Sequence, residues 1–269
     1  MIGSELAQKP EYLLSRAQEE LNVDSRLGKL AMRFAPMYIS LFGVPEVGVH
    51  VRIAHALGAL RGRVGSVVDL GCGAGFLIGA LQRRGQASSV SGVDLDAASV
   101  AVARDTHPYA QIEQGNLLDY KGGPFDVAIS IDVLEHMADA DVPRFFQKAH
   151  DLLKPGGRLI VHTPAMGQRR FFSAFAHWEH HDHEREGFVP AELQALATRQ
   201  GFRIERCQPT FGGIAALCWE INMLSAGRVW QSIAFPILNL IAIAADRYSR
   251  VGNGILLVAV RDDMSTASP

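Results

Sequence analysis

The chain has 269 residues, 48% of them apolar, and a formal charge of -2 at neutral pH. That is enough chain for one sizeable core with a small accessory part, and too little positive charge for a nucleic-acid partner. Cys72, Cys207 and Cys218 are widely separated and form no CxxC pair, which argues against a disulfide framework or a zinc site and suits a cytoplasmic protein.

Residues 1–63 read as a helical N-terminal lid. Its first residues, MIGSELAQKPEYLL, lack the apolar core of a secretion signal. Ser4 is placed to cap a first helix running to about Asn22, and two stretches with mixed three- and four-residue apolar spacing follow. From Ser66 the pattern changes. SVVDL, SVSGVDL, AQIEQGN, FDVAISID, RLIVHTP and FRIERCQ read as strands. Between them lie the helical segments AGFLIGALQRRG, AASVAVARDTH, VPRFFQKAHDLLKPGG and PAELQALATRQG. The strands lack inside-outside alternation, so an α/β core over 64–208 with a parallel sheet covered on both faces is expected. Residues 209–253 form an apolar helical insertion, and GILLVAVRD gives a final core strand at 254–262. Ligands of such sheets bind beyond the carboxyl ends of the strands, so the residues just after each strand carry most information.

After the first strand, Gly71, Gly73 and Gly75 alternate in GCGAG, two residues beyond Asp69. Such a loop lets backbone approach a ligand closely. A dinucleotide loop spaces its glycines as GxGxxG and holds a pyrophosphate. Here the spacing is GxGxG, and the Asp69 carboxylate suits an ammonium better than a diphosphate. About twenty residues on, the second strand ends at Asp94, where an acid accepts from a ribose diol. Asp96 is placed to cap the next helix.

Taken together, VVDLGCGAG, VSGVDLD, IEQGNLLD, FDVAISIDVLEHM and LLKPGGRLIVHTP resemble the class I S-adenosylmethionine-dependent methyltransferases, over roughly residues 64–207. The resemblance implies a Rossmann-like sheet of seven strands in the order 3-2-1-4-5-7-6, the last antiparallel. It implies S-adenosylmethionine as cofactor, with Asp69 and Gly71 at the methionine amino end, Gly73 leaving room, Asp94 at the ribose and Leu95 on the adenine. Asn116 and Leu117 take the adenine-reading position, where many relatives have Asp. Ser130 and Ile131 end the fourth strand, where a backbone carbonyl commonly meets the cofactor amine.

Methyl transfer needs alignment and exclusion of water, and a base only when the acceptor carries a proton. His136 and His183 are the candidate catalytic residues. His136 lies in DVLEHM after the fourth strand. His183 and Arg185 match a pocket-bordering pattern of relatives through DHEREGF. The bland alternatives are a packing histidine and a solvated, charged loop. Asp132, Glu135 and His136 are spaced to share one helical face. Some quinone O-methyltransferases of this kind have a similar arrangement and use a divalent metal, but no metal ligands are assigned. The run of His177, His180, His181 and His183 has the wrong spacing for zinc on one helical face.

Only Glu220 and Arg228 are charged between Gln208 and Ala245. Two apolar helices are expected there, the second opened near Pro236, and neither is long enough to span a bilayer. A buried lid, a homodimer contact and a peripheral membrane patch through 214–245 all remain open. The function expected is methyl transfer to a small, hydrophobic or lipid-linked acceptor, most simply on oxygen. N- or C-methylation and a non-catalytic cofactor-binding scaffold are the alternatives. A nicotinamide reductase is disfavoured by the glycine spacing and by the lack of a Tyr-x-x-x-Lys pair.

Overall fold

The computed structural model describes residues 45–175, 183–225 and 229–262. The expected helices before residue 45, and His177, His180 and His181, lie outside them. Two compact units are present.

The larger unit comprises Arg52–Gln168, Asp182–Thr210 and Arg250–Pro269. It follows from the end of α1 (Val47–Ala59) and contains β1 (Val64–Leu70), α2 (Phe76–Arg84), β2 (Ala87–Asp94), α3 (Ala97–Thr106), β3 (Gln111–Gln114), β4 (Phe125–Ile131), α4 (Val142–Leu152), β5 (Leu153–Pro164), α5 (Pro190–Arg199), β6 (Phe202–Thr210) and β7 (Gly254–Arg261). The strands form one sheet in the order β3-β2-β1-β4-β5-β7-β6. β7 runs antiparallel to both β5 and β6, and the other pairs are parallel. The sheet is therefore the seven-stranded one that the resemblance implies. Strand ends differ by a residue or two from those read in the sequence: β6 runs on to Thr210 and β7 stops at Arg261.

Local chemistry explains the helix ends. Gly85 takes a left-handed conformation and its N–H meets the last carbonyls of α2. The Asp96 carboxylate accepts from Ser99 N–H at 2.9 Å and caps α3. One face of the sheet packs on Phe145, Phe146, Phe188 and Phe202, and the other on Leu57, Ile78, Leu81 and Val100. Each such fully buried side chain stabilises by about 1.5–3 kcal/mol relative to exposure. This double cover holds the carboxyl ends of β1, β2, β4 and β5 in fixed register.

The smaller unit comprises Met1–Val51, Arg169–His181 and Phe211–Ser249. Its main elements are α6 (Gly213–Leu224) and α7 (Val229–Asp246). Val47, Phe175, Phe211, Trp219, Phe235 and Ala242 build its core. The buried Glu220 carboxylate accepts from Phe171 and Phe172 N–H, and Asp246 from Phe211 and Gly212 N–H. The expected opening at Pro236 does not occur: α7 continues through it. Proline removes one helix hydrogen bond. The buried Phe235 and Ala242 anchor the helix on both sides of Pro236, and Gln231 Nε2 donates to the Pro45 carbonyl at 2.9 Å.

Candidate active site

The loop after β1 is built from backbone that only glycine adopts without strain. Gly71 has φ +86°, and a Cβ there would run into Val133. Gly73 has φ +48°, and a Cβ would meet nothing within 4 Å. The loop therefore faces open space at Gly73 and packs against protein at Gly71. Its N–H groups are partly satisfied from β2: Gly71 and Cys72 donate to the Val93 carbonyl at 2.9 and 3.1 Å. Gly73 N–H donates to Asp94 Oδ2 at 2.7 Å, so the acid at the end of β2 orients the glycine loop directly. Its other oxygen accepts from Asp96 N–H.

Asp69 is buried within β1. Burial, and then the charge of Asp94, push its carboxyl up to about 8. A site with such an acid favours a ligand that brings a cation. Leu95 stands 73% exposed just past β2, free to pack on a planar ligand. The Asn116 side chain accepts from Leu118 N–H at 2.9 Å and caps a short turn, while Leu117 packs on the core. Ser130 is buried and its hydroxyl donates to the Leu70 carbonyl, tying the ends of β4 and β1 together. Ile131 is half-buried at the end of β4.

The loops after β4 and β5 are arranged differently from the sequence expectation. Asp132, Glu135 and His136 do not share a helical face. Asp132 takes a left-handed backbone, φ 53°, and only Leu134–His136 form a short 3-10 turn. Non-glycine residues rarely hold this conformation unless their surroundings fix it. Here Asp132 Oδ2 pairs with Arg52 Nε at 2.8 Å, and Oδ1 meets His162 Nδ1 at 3.0 Å. Burial would raise the Asp132 carboxyl, but Arg52, then His162 and His136, outweigh it and hold it at about 2. His162 is buried and its pKa is lowered by burial despite Asp132. Neutral His162 thus donates from Nδ1 to Asp132, and its Nε2 accepts from the Thr210 hydroxyl at 2.9 Å.

Glu135 is buried on the other side of the turn. Burial, and then the Asp132 charge, push its carboxyl well above the ordinary range. One oxygen accepts from the Thr163 hydroxyl at 3.1 Å, and Oε1 has no hydrogen-bond partner among the described residues. Its carbonyl accepts from Glu184 and Arg185 N–H, which draws the segment from His183 onto the turn. Arg185 fixes that segment further: it pairs with Asp139 at 2.6 Å and Glu192 at 2.9 Å and lies over the Phe188 ring. As a result His183 and His136 meet edge to face at 4.6 Å between ring centres. Donor atoms of Glu135, His136 and His183 all lie within 4.8 Å of one another, a spacing that fits one divalent cation.

A methyltransferase domain profile matches residues 49–206, more than half of the chain. The chain belongs to the class I S-adenosylmethionine-dependent methyltransferases. Within that family it is 32% identical over 159 residues to a ubiquinone biosynthesis O-methyltransferase of Pseudomonas aeruginosa, covering 52% of this chain and 65% of the relative. It is 36% identical over 170 residues to the protein of the same description in Chelativorans sp., covering 58% and 62%. The match thus spans less than two thirds of these relatives' length. Among solved structures, a SAM-dependent methyltransferase from Archaeoglobus fulgidus aligns with a TM-score of 0.56 at 15% identity, covering 84% of this chain and 99% of that one. At that identity the likeness concerns the fold.

Sequence reasoning placed Asp69, Gly71, Gly73, Asp94, Leu95, Asn116, Leu117, Ser130 and Ile131 near the strand ends, and they lie there. It missed the Arg52–Asp132–His162–Thr210 chain, whose members come from four distant segments. It also missed that Glu135 joins His136 and His183. The signal available for the second was the acid-histidine pair in LEHM together with the histidine-rich run fifty residues later.

Proposed function

We propose that the protein transfers a methyl group from S-adenosylmethionine to an oxygen of a small, hydrophobic acceptor. The observation that carries the cofactor assignment is the Asp69 carboxyl, pushed up to about 8 next to an open glycine loop. In this reading Asp69 receives the cofactor ammonium, Asp94 the ribose hydroxyls, Leu95 and Leu117 flank the adenine, and Asn116 reads its edge. The bound sulfonium supplies the electrophilic methyl, so the chain's own task is alignment and proton removal. His183, held against His136 by the backbone bonds to Glu135, is placed to take the acceptor proton. The ubiquinone-related description of the relatives supports an aromatic hydroxyl as acceptor.

A second reading has Glu135, His136 and His183 hold a divalent cation that lowers the acceptor hydroxyl's pKa, favoured by the unpartnered Glu135 Oε1. One assay separates them: release of S-adenosylhomocysteine with a panel of phenolic and quinol acceptors, for wild type and His183→Ala, with and without chelator. Turnover falling at least about tenfold in His183→Ala, with cofactor affinity kept and wild-type turnover unchanged by chelator, supports the base. Loss of wild-type turnover with chelator supports the cation. Cofactor binding without turnover of any acceptor supports a scaffold and removes the enzymatic reading.

A further inference from the structure

α6 and α7 each carry a buried apolar face and a second, exposed apolar face. On α7, Gln231, Phe235, Ala242 and Asp246 are buried, while Trp230, Ile233, Ile237 and Leu240 are 57–71% exposed. Their spacing of three and four residues places the exposed set on one side of the helix. Ile241 extends this stripe, and Ile221 and Leu224 are exposed in the same way on α6. A helix apolar all round is ordinarily buried, and a contiguous exposed apolar stripe marks a docking surface.

The charges around the stripe select the partner. Among the described residues of this unit the acids are Glu46, Glu220 and Asp246, and none is exposed. All three are turned inward onto backbone: Glu46 accepts from Gly48 and Val49 N–H, Glu220 from Phe171 and Phe172, and Asp246 from Phe211 and Gly212. Arg169 and Arg247 are exposed. Among the described residues the outward charge of this unit is therefore cationic. Trp230 begins the stripe and Tyr248, 85% exposed, stands just beyond the end of α7, the residue types that settle at the boundary between hydrocarbon and water.

We propose that the exposed face of α7, extended by that of α6, lies on the surface of an anionic lipid bilayer. Among the described residues no helix is long and apolar enough to cross a membrane, so the helix lies in the headgroup plane with its apolar stripe toward the acyl chains. Arg247, which directly follows the end of α7, meets lipid phosphates. A symmetric dimer through this face would bring Arg247 of both copies to one interface with no exposed acid among the described residues of this unit to pair them. The surface rests on its own observations and not on the identity of the methyl acceptor.

The test is co-sedimentation of the full chain with vesicles of phosphatidylcholine alone and of phosphatidylcholine mixed with phosphatidylglycerol. Binding at least about tenfold tighter to the anionic vesicles, weakening as salt rises, is expected. Ile237→Glu and, separately, Leu240→Ser should each weaken binding while leaving the melting temperature and cofactor affinity unchanged, because both side chains are exposed. Arg247→Ala should reduce the preference for anionic vesicles. Absence of sedimentation with either vesicle overturns the proposal. So does wild-type dimerisation by ultracentrifugation that Ile237→Glu abolishes without any change in vesicle binding; the face would then be a subunit interface.

Discussion

The carboxyl ends of the strands fall into two halves, and each treats one buried acid, Asp69 in the first and Asp132 in the second, in the opposite way. After β1 and β2, Asp69 is buried beside Asp94, and burial and that neighbour raise its carboxyl to about 8. After β4, Asp132 faces the same burial but has Arg52 and His162 against its two oxygens, and it is held at about 2. The second acid is paired within the protein; among the described residues no cation is seen to pair the first. A cationic ligand gains where a buried carboxyl is raised rather than paired, which holds for Asp69 beside the open glycine loop and also for Glu135 beyond Asp132. On the proposed function, this difference separates a cofactor half, where Asp69 would receive the cofactor's charge, from an acceptor half, where Arg52 and His162 hold the Asp132 charge in place.

The largest expected effect breaks the paired half. Asp132→Asn removes the charge but keeps a side chain that tolerates the left-handed backbone. It leaves Arg52 and His162 without their carboxylate and should destabilise by about 2 kcal/mol, less than for a fully buried pair because Arg52 and Asp132 are 25% and 22% exposed. Urea unfolding measures it. Unchanged stability would mean that Arg52 and His162 contribute nothing by pairing, and the contrast between the halves would fail.

A smaller effect sharpens the unpaired half. The folded-state pKa of Asp69 lies above its ordinary 3.8. The folded state therefore keeps a proton that the unfolded chain loses. Stability from this group is full below about 4 and is lost as pH rises toward about 8. Without cofactor, the melting temperature should fall across that window, and Asp69→Asn should flatten the fall by a few degrees. Glu135 has the same sign and leaves a residual slope. An identical pH profile in Asp69→Asn would remove Asp69 as the unpaired acid.

Much of the cofactor half is legible in sequence because it is local. The GxGxG spacing, the acid that ends β2 and the Asp96 cap each act within a few residues, so the pattern and the geometry coincide. The sheet order followed from the resemblance once the strands had been counted. The acceptor half was less legible because it is assembled from distant segments. The i, i+3, i+4 spacing of Asp132, Glu135 and His136 suggested a shared helical face, but a single left-handed residue sends Asp132 to Arg52 and leaves Glu135 on Thr163. His183 reaches His136 only through backbone bonds to the Glu135 carbonyl. Pro236 misled for a related reason: local propensity predicts a break, whereas core packing on both sides carries α7 through it.

The cofactor half is tested most directly by calorimetric titration of S-adenosylmethionine into wild type and Asp94→Ala. In the protein Asp94 holds the Gly73 N–H at 2.7 Å and ends β2 where the ribose is expected. Loss of its charge-assisted hydrogen bonds should weaken binding by about 1.5–3 kcal/mol, roughly tenfold to a hundredfold in Kd, with the fold intact by thermal melt. Wild-type affinity in Asp94→Ala would contradict the placement of the cofactor on this half of the sheet edge.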